Sequence, residues 1–401
     1  MRRFTNANIF LNGRFTPAAF DVEKGRFQNI HPASSQLSCP APLTQETEII
    51  DLQGAFVIPG LIDIHGHGNS GYDFSTCGYE GLVTMARYLG THGITSFAPA
   101  SMTMSYDALA AAYQNAKKLH AYQLQKECSD GCPENTDIMS RLAGINMEGP
   151  FFSYGKRGAQ DPSWLKAPDE EMFRKLMDVS GGLIRLVDVA PELKGAMTFI
   201  RNISRSFPEV TVSVAHTESG YETVCEAFQN GAAHMTHLFN GMNGIHHRAP
   251  GPVCAAYDTP GVFVELICDG IHIHPSVIRM VFSLFPGRVI LISDALACCG
   301  MPDGRFTLGD QEVTLKDHHA TLADGTLAGS ASNLFDMLRN VVSFGIPLEE
   351  AVISATLNPA RQLHLDHQIG SIGDGKKADF LICSESLQLL QVYIGGSPVP
   401  A

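Results

Sequence analysis

Eight short apolar runs alternate with amphipathic stretches between residues 61 and 294, and this repetition constrains the fold more than any other feature of the chain. The runs read as strands at Leu61–Ile64, Thr95–Ala100, Gly144–Glu148, Arg185–Val189, Thr211–His216, Ala233–His237, Phe263–Cys268 and Val289–Asp294. Helical patterns lie between most of them, as in Glu80–Thr91, Tyr106–Lys126, Glu170–Val179, Tyr221–Gln229 and Pro275–Phe285. Eight β/α repeats imply an α/β protein whose parallel strands close into a (β/α)8 TIM-like barrel. At 401 residues the chain has room for such a barrel and one small accessory domain.

The accessory part is expected from both ends. Residues 1–57 alternate short strand-like runs with turns, and residues 366–401 have the same character. The two ends are expected to pair into one small β-sandwich beside a barrel at 58–365, bringing the termini close together. Phe306–Ser330 reads as hairpin strands inserted after the eighth barrel strand, and Cys128–Asn135 as a polar loop without a domain boundary. No site is assigned within Met1–Phe56.

Bulk properties narrow the function. An apolar content of 44% with 38 glycines describes an ordinary globular chain. A net charge of −13 argues against nonspecific binding to nucleic acid or anionic membranes, so an anionic substrate would need a local basic cluster. The start, MRRFTNANIFLNGRF, lacks a signal-peptide core, and no stretch is long enough to cross a bilayer. Ten cysteines without a CxxC pair, with Cys298 and Cys299 adjacent, read as reduced thiols of a cytoplasmic protein.

Chemistry-bearing residues gather at the strand ends, where barrel proteins place their sites. In GLIDIHGHGNSG, His65 and His67 are two apart at the end of a strand and so point the same way. Glu148, His216 and His237 end the third, fifth and sixth runs; Asp269, His272 and His274 follow the seventh; Asp294 ends the eighth. Any one of these could simply cap a loop or helix. Their recurrence at one end of one barrel points instead to a divalent cation. Imidazoles and carboxylates without a thiolate set suit zinc, iron(II), manganese or cobalt in a catalytic site, as one ion or two bridged by a carboxylate. Such a site acidifies water to a pKa near ~7, and a carboxylate not tied up in ligation can move the proton. Asp294 is the candidate for that role.

PGLIDIHGHG, LAGINMEGPF, KRGAQDP, AHT, HMTHLFNGM, HHRAPG, CDGIHIHP, LISDA and DGTLAGS occur in this order from Pro59 to Ser330. Together they resemble the N-acetylglucosamine-6-phosphate deacetylase family of the amidohydrolase superfamily; GKKADFLI and ATLNPAR match more loosely. The resemblance implies hydrolysis of the acetamide of N-acetylglucosamine 6-phosphate to glucosamine 6-phosphate and acetate, with Asp294 as general base and acid. It makes Glu148, His216 and His237 metal ligands, with His65 and His67 (and Asp294) serving a second ion, zinc or iron(II) before manganese or cobalt. Ala159 and Gln160 match substrate contacts. Asn240, Gly241 and His272 match the phosphate end, and Leu327, Ala328, Gly329 and Ser330 a loop over the sugar. Arg248 matches an arginine that reaches a neighbouring subunit's phosphate, which implies a homodimer or larger assembly.

The chain departs from the pattern at Ala215, where glycine is common, at Ala249, where glutamate is usual, and in a more polar stretch after His67. These changes bear on sugar selectivity and leave every ligand in place. The alternatives are the galactosamine epimer as substrate, a cyclic amide as substrate, and a barrel without catalysis. Cyclic-amide hydrolases generally use a carboxylated lysine where this chain has Glu148, and a non-catalytic barrel would be expected to have lost ligands.

Overall fold

A computed structural model of the protein describes residues 1–32, 47–128 and 137–400; residues 129–135 of the expected polar loop lie outside the described residues. Eight parallel strands form the barrel: Leu61–Asp63, Ile94–Phe97, Ile145–Met147, Ile184–Val189, Thr211–Val214, His234–Met235, Phe263–Ile267 and Val289–Ile292. The third to eighth pair in chain order in one parallel sheet. The first pairs with the second, and a bridge between Ala100 and Asn146 joins the second to the third.

Closure comes from the strand ends. Asp294 N–H donates to His65 O at 2.8 Å and His67 N–H to Ala295 O at 2.7 Å, while the Ser293 hydroxyl donates to Asp63 at 2.5 Å. The bonds that close the barrel therefore also set the backbone of three expected site residues. Val289, Ile290, Leu291 and Ile292 are almost wholly buried, as parallel strands covered on both faces must be. Each fully buried aliphatic side chain of this kind contributes about 1.5–3 kcal/mol.

Helices cover the outside and carry ordinary end signals. Asp169 accepts a bond from Met172 N–H to cap Glu170–Ser180, and Gly181 ends that helix in the left-handed conformation. His274 caps Pro275–Leu284 by accepting from Ser276 N–H, so this histidine is a helix cap. The sequence placed a helix end here and left the histidine's role open.

Strands from both chain ends share one eight-stranded sheet. In it Phe380–Cys383 pairs with Phe56–Pro59, which pairs with Arg2–Leu11, followed by Arg14–Glu23 and Arg26–Pro32. The sheet curls over on itself. Phe27 and Phe380 lie four places apart in the strand order, yet their rings are 5.7 Å apart. Phe27 N–H donates to Lys376 O and Ala378 N–H to Gly25 O, joining the start of the edge strand Arg26–Pro32 to the segment that leads into Phe380–Cys383. Phe4, Phe20, Phe27 and Phe380 fill the inside, while Ile58 and Leu381 on the other face belong to the barrel's core.

After the eighth strand the chain forms a three-stranded antiparallel sheet, Gly304–Leu308, Gln311–Lys316 and His319–Thr321, where hairpin strands were expected. Its first turn reaches over the barrel mouth. Gly309 N–H donates to Asp73 at 3.1 Å, and the Gln311 side chain donates to Ala159 O.

Candidate metal centre and substrate cleft

Six of the expected residues converge at the C-terminal mouth of the barrel: His65, His67, Glu148, His216, His237 and Asp294, all buried. Glu148 lies at the centre. Its Oε1 is 3.0 Å from His216 Nε2, 3.2 Å from His237 Nε2 and 3.5 Å from His65 Nε2, and its Oε2 is 3.4 Å from His67 Nε2. Asp294 Oδ1 lies 3.2 Å from His67 Nε2 and 3.8 Å from His65 Nε2. Burial opposes charge on Glu148 and Asp294, but the imidazoles around them hold both carboxyls below their usual range.

All four rings are turned the same way, with Nδ1 occupied on the outer side and Nε2 facing inward. His67 Nδ1 meets Ala100 O at 3.1 Å, His216 Nδ1 meets Lys156 O at 2.8 Å and His237 Nδ1 meets Asn240 O at 3.1 Å. His65 Nδ1 meets the carboxylate of Glu265 at 2.9 Å. An N–H at Nδ1 leaves the Nε2 lone pair facing the cluster, which is the arrangement a metal ion requires.

The donor set fits such an ion. His65 Nε2 is buried without a hydrogen-bond partner, an orphan that a cation would satisfy. Two groups have ligand atoms within 4.8 Å of one another: His65 with Glu148 and His237, and His65 with His67 and Asp294. Ligand atoms ~2.0–2.1 Å from one ion lie roughly 3–3.4 Å from each other, close to the separations found around Glu148.

Three site residues have backbone in the left-handed region, His216 at φ 43°, His237 at φ 27° and Asp294 at φ 46°. Non-glycine residues there cost of order 1–3 kcal/mol each and persist where surrounding bonds hold them. Gly241 (φ 59°) shows one such constraint: a Cβ there would lie 2.8 Å from His216 Nδ1 and 3.2 Å from Lys156 O. Besides any ligand contact, Gly241 clears space for the bond that orients His216.

The cluster floors a cleft of about 130 Å³ that opens to solvent at the barrel mouth. Ala159, Gln160, Asn240, Gly241, His272, Leu327, Ala328 and Gly329 line it, together with the expected ligands other than His65. Gln160 Nε2 donates to Glu148 at 2.8 Å and its Oε1 accepts from Thr103 N–H at 2.7 Å, so its amide is held in one orientation. His272 is held from both sides, by Asp269 at 2.6 Å and Ala328 O at 2.7 Å. Burial would lower its pKa, but Asp269 raises it above the ordinary value. Asp269 is thus the partner of His272 and lies outside the metal cluster.

Two of the expected substrate contacts do not face the cleft. The Ser330 hydroxyl turns into the barrel wall, donating to Ser293 O at 2.6 Å, while Ser330 N–H donates to Asp294 O at 2.7 Å. Arg248 is exposed on a loop, with Nη1 2.7 Å from His247 Nε2. Sequence reasoning passed over Glu265 and His234, buried beneath the cluster, and Asp188, whose burial pushes its carboxyl well above the usual range. Their signal was a charged residue inside an apolar run, as in FVELI.

A curled parallel barrel with histidines and carboxylates at its mouth defines a metal-dependent hydrolase of the amidohydrolase type. Residues 56–399 match the Amidohydrolase family, and the chain belongs to it. The chain is 34% identical to N-acetylglucosamine-6-phosphate deacetylase of Bacillus subtilis (strain 168), over 85% of this chain and 84% of that protein. It is 31% identical to N-acetylgalactosamine-6-phosphate deacetylase of Escherichia coli O157:H7, over 87% and 89%. Among solved structures it resembles a mutant N-acetyl-D-glucosamine-6-phosphate deacetylase from Mycobacterium smegmatis in complex with N-acetyl-D-glucosamine-6-phosphate. That match has a TM-score of 0.87 and 28% identity, over 100% of this chain and 99% of that one. No helix among the described residues is long and apolar enough to cross a membrane.

Proposed function

We propose that this protein hydrolyses the acetamide of N-acetylglucosamine 6-phosphate, consuming one water and releasing acetate and glucosamine 6-phosphate. One observation carries the reading: Glu148, four inward-facing imidazoles and Asp294 converge on the floor of a cleft. The deacetylase relatives named above lend it support.

Glu148, His216, His237, His65 and His67 would hold one or two divalent ions, zinc or iron(II) before manganese or cobalt, which acidify water to near pKa ~7 and polarise a carbonyl. Asp294, beside His67 and His65, takes the proton of the attacking water and returns it to the departing amine. Gln160 spends one N–H on Glu148 and has a second for the acetyl oxygen as negative charge develops there. Asn240, Gly241 and His272 receive the phosphate end, and Leu327–Gly329 border the sugar. Binding energy far from the acetyl group then positions it for attack.

Arg248 lies outside its own chain's cleft, which suits a reach into a neighbouring subunit, and we assign the protein to a homodimer or larger assembly in the cytoplasm. The division into a barrel at 58–365 and a small β domain from 1–57 and 366–401 belongs to the same proposal. The galactosamine epimer is the second reading, favoured by the similarity to the Escherichia coli relative.

Free amine released from N-acetylglucosamine 6-phosphate, its galactosamine epimer and unphosphorylated N-acetylglucosamine by zinc- or iron-loaded protein tests the reading. Fast release from the first alone is expected. Preference for the epimer changes the substrate and keeps the mechanism, whereas no release from any of the three rejects the assignment.

A further inference from the structure

Beneath the cleft, on the seventh strand, Glu265 is wholly buried. Burying an isolated carboxylate costs several kcal/mol, so a buried one that persists is paired. Glu265 Oε2 accepts from His65 Nδ1 at 2.9 Å and from the His237 backbone N–H at 3.1 Å. Its Oε1 lies 3.0 Å from His234 Nε2, without hydrogen-bond alignment. His234 Nδ1 in turn meets Gln362 Oε1 at 2.9 Å, and Gln362 O accepts from the Thr211 hydroxyl at 2.9 Å. Gln362 ends the helix Leu357–Gln362. The chain of contacts therefore runs from the floor of the cleft through the barrel interior to a helix packed outside it.

We propose that Glu265 is a positioning residue that braces the metal centre from below. It does not line the cleft, so it has no contact with a substrate there. Its effect passes through two ligands on different strands. It places the proton on His65 Nδ1, which frees Nε2 for the cluster. It also anchors His237 where that residue's backbone is in the left-handed region. His67, His216 and His237 have carbonyl oxygens behind their rings, whereas His65 has a carboxylate, a stronger acceptor that makes Nε2 a better donor. His65 is also the ligand shared by both groups of clustered donor atoms. One carboxylate thus acts on the ligand common to both candidate metal positions.

The inference rests on reading His65 and His237 as metal ligands, and the experiment separates the two. Apo protein is titrated with Zn2+ against a chromogenic chelator, for wild type and for Glu265→Gln, with apo melting temperatures measured alongside. Wild type is expected to bind zinc, and Glu265→Gln to stay folded while binding it about 10–100-fold more weakly. A purely structural role would lower the apo melting temperature and leave the zinc affinity of the folded protein unchanged; that result overturns the brace alone. Wild type that takes up no zinc overturns the ligand reading itself, before any variant is compared.

If Glu265→Gln fails to fold, ring 15N–1H spectra of apo wild type decide. A downfield Nδ1–H resonance that disappears in His65→Asn is expected, and its absence overturns the proposal.

Discussion

The barrel mouth and the curled sheet built from both chain ends use buried polar groups in opposite ways. Inside that sheet the packing is aromatic and the buried charges of Arg3 and Asp21 are matched. Phe4 stacks on Phe20 at 4.9 Å, Phe380 on Tyr393 at 4.6 Å, and the buried Arg3 and Asp21 meet as a bidentate pair at 2.7 and 2.9 Å. At the mouth, four imidazoles crowd one carboxylate, three residues have left-handed backbone, and His65 Nε2 is left without a partner. One region is arranged for packing and the other for a ligand that completes it. Stability and chemistry should therefore respond to substitution separately in the two places.

The sharpest test of that separation is Asp294→Asn. On the proposed mechanism it should lower kcat by about 10²–10⁴-fold, because the amide cannot accept the proton, while the unfolding midpoint changes little. A variant with normal turnover would remove Asp294 from the chemistry.

Phe380→Ala should do the reverse. Phe380 contacts Phe4, Phe20, Phe27 and Tyr393, so its loss should cost about 3–5 kcal/mol in urea unfolding. The protein that stays folded should keep its kcat. A matching loss of kcat would show that the two regions are coupled.

Gly329→Ala probes how tightly the mouth is built. A Cβ there would lie 2.3 Å from Asp294 O, and backbone cannot yield as a side-chain tip can. Turnover should fall about tenfold or more through displacement of Asp294, with no chemical group removed. Unchanged kinetics would mean that the loop has slack.

The smallest effect concerns acid. Burial opposes the Asp21 charge, but Arg3 and Asn29 bond to it and hold its pKa below the ordinary 3.8. Such a group stabilises the fold fully above its unfolded pKa, and the contribution disappears as pH falls through the lower, folded value. Wild type should therefore lose stability as the pH drops below about 4. Asp21→Asn should be less stable at neutral pH and show a shallower decline in the same window. Parallel melting curves for the two proteins would remove Asp21 from the acid response.

The aromatic interior of the sheet from both chain ends was not legible in the sequence. Phe27 meets Phe380 only because the sheet curls, a contact between residues more than three hundred positions apart that no local pattern encodes.

What the sequence determined by itself was whatever short-range periodicity and spacing can carry. Eight apolar runs set the barrel, and the HGH spacing put His65 and His67 together just past the end of the first strand, which stops at Asp63. The strand-end positions of Glu148, His216, His237 and Asp294 put them at one mouth once the strands were parallel. The tertiary structure decided what depends on distance between remote segments. It turned His274 into a helix cap, paired Asp269 with His272, and pointed Ser330 into the wall. It also set Glu265 behind His65. A hydrogen bond is made or lost over a few tenths of an ångström, and spacing along a chain does not specify distances between segments 200 residues apart.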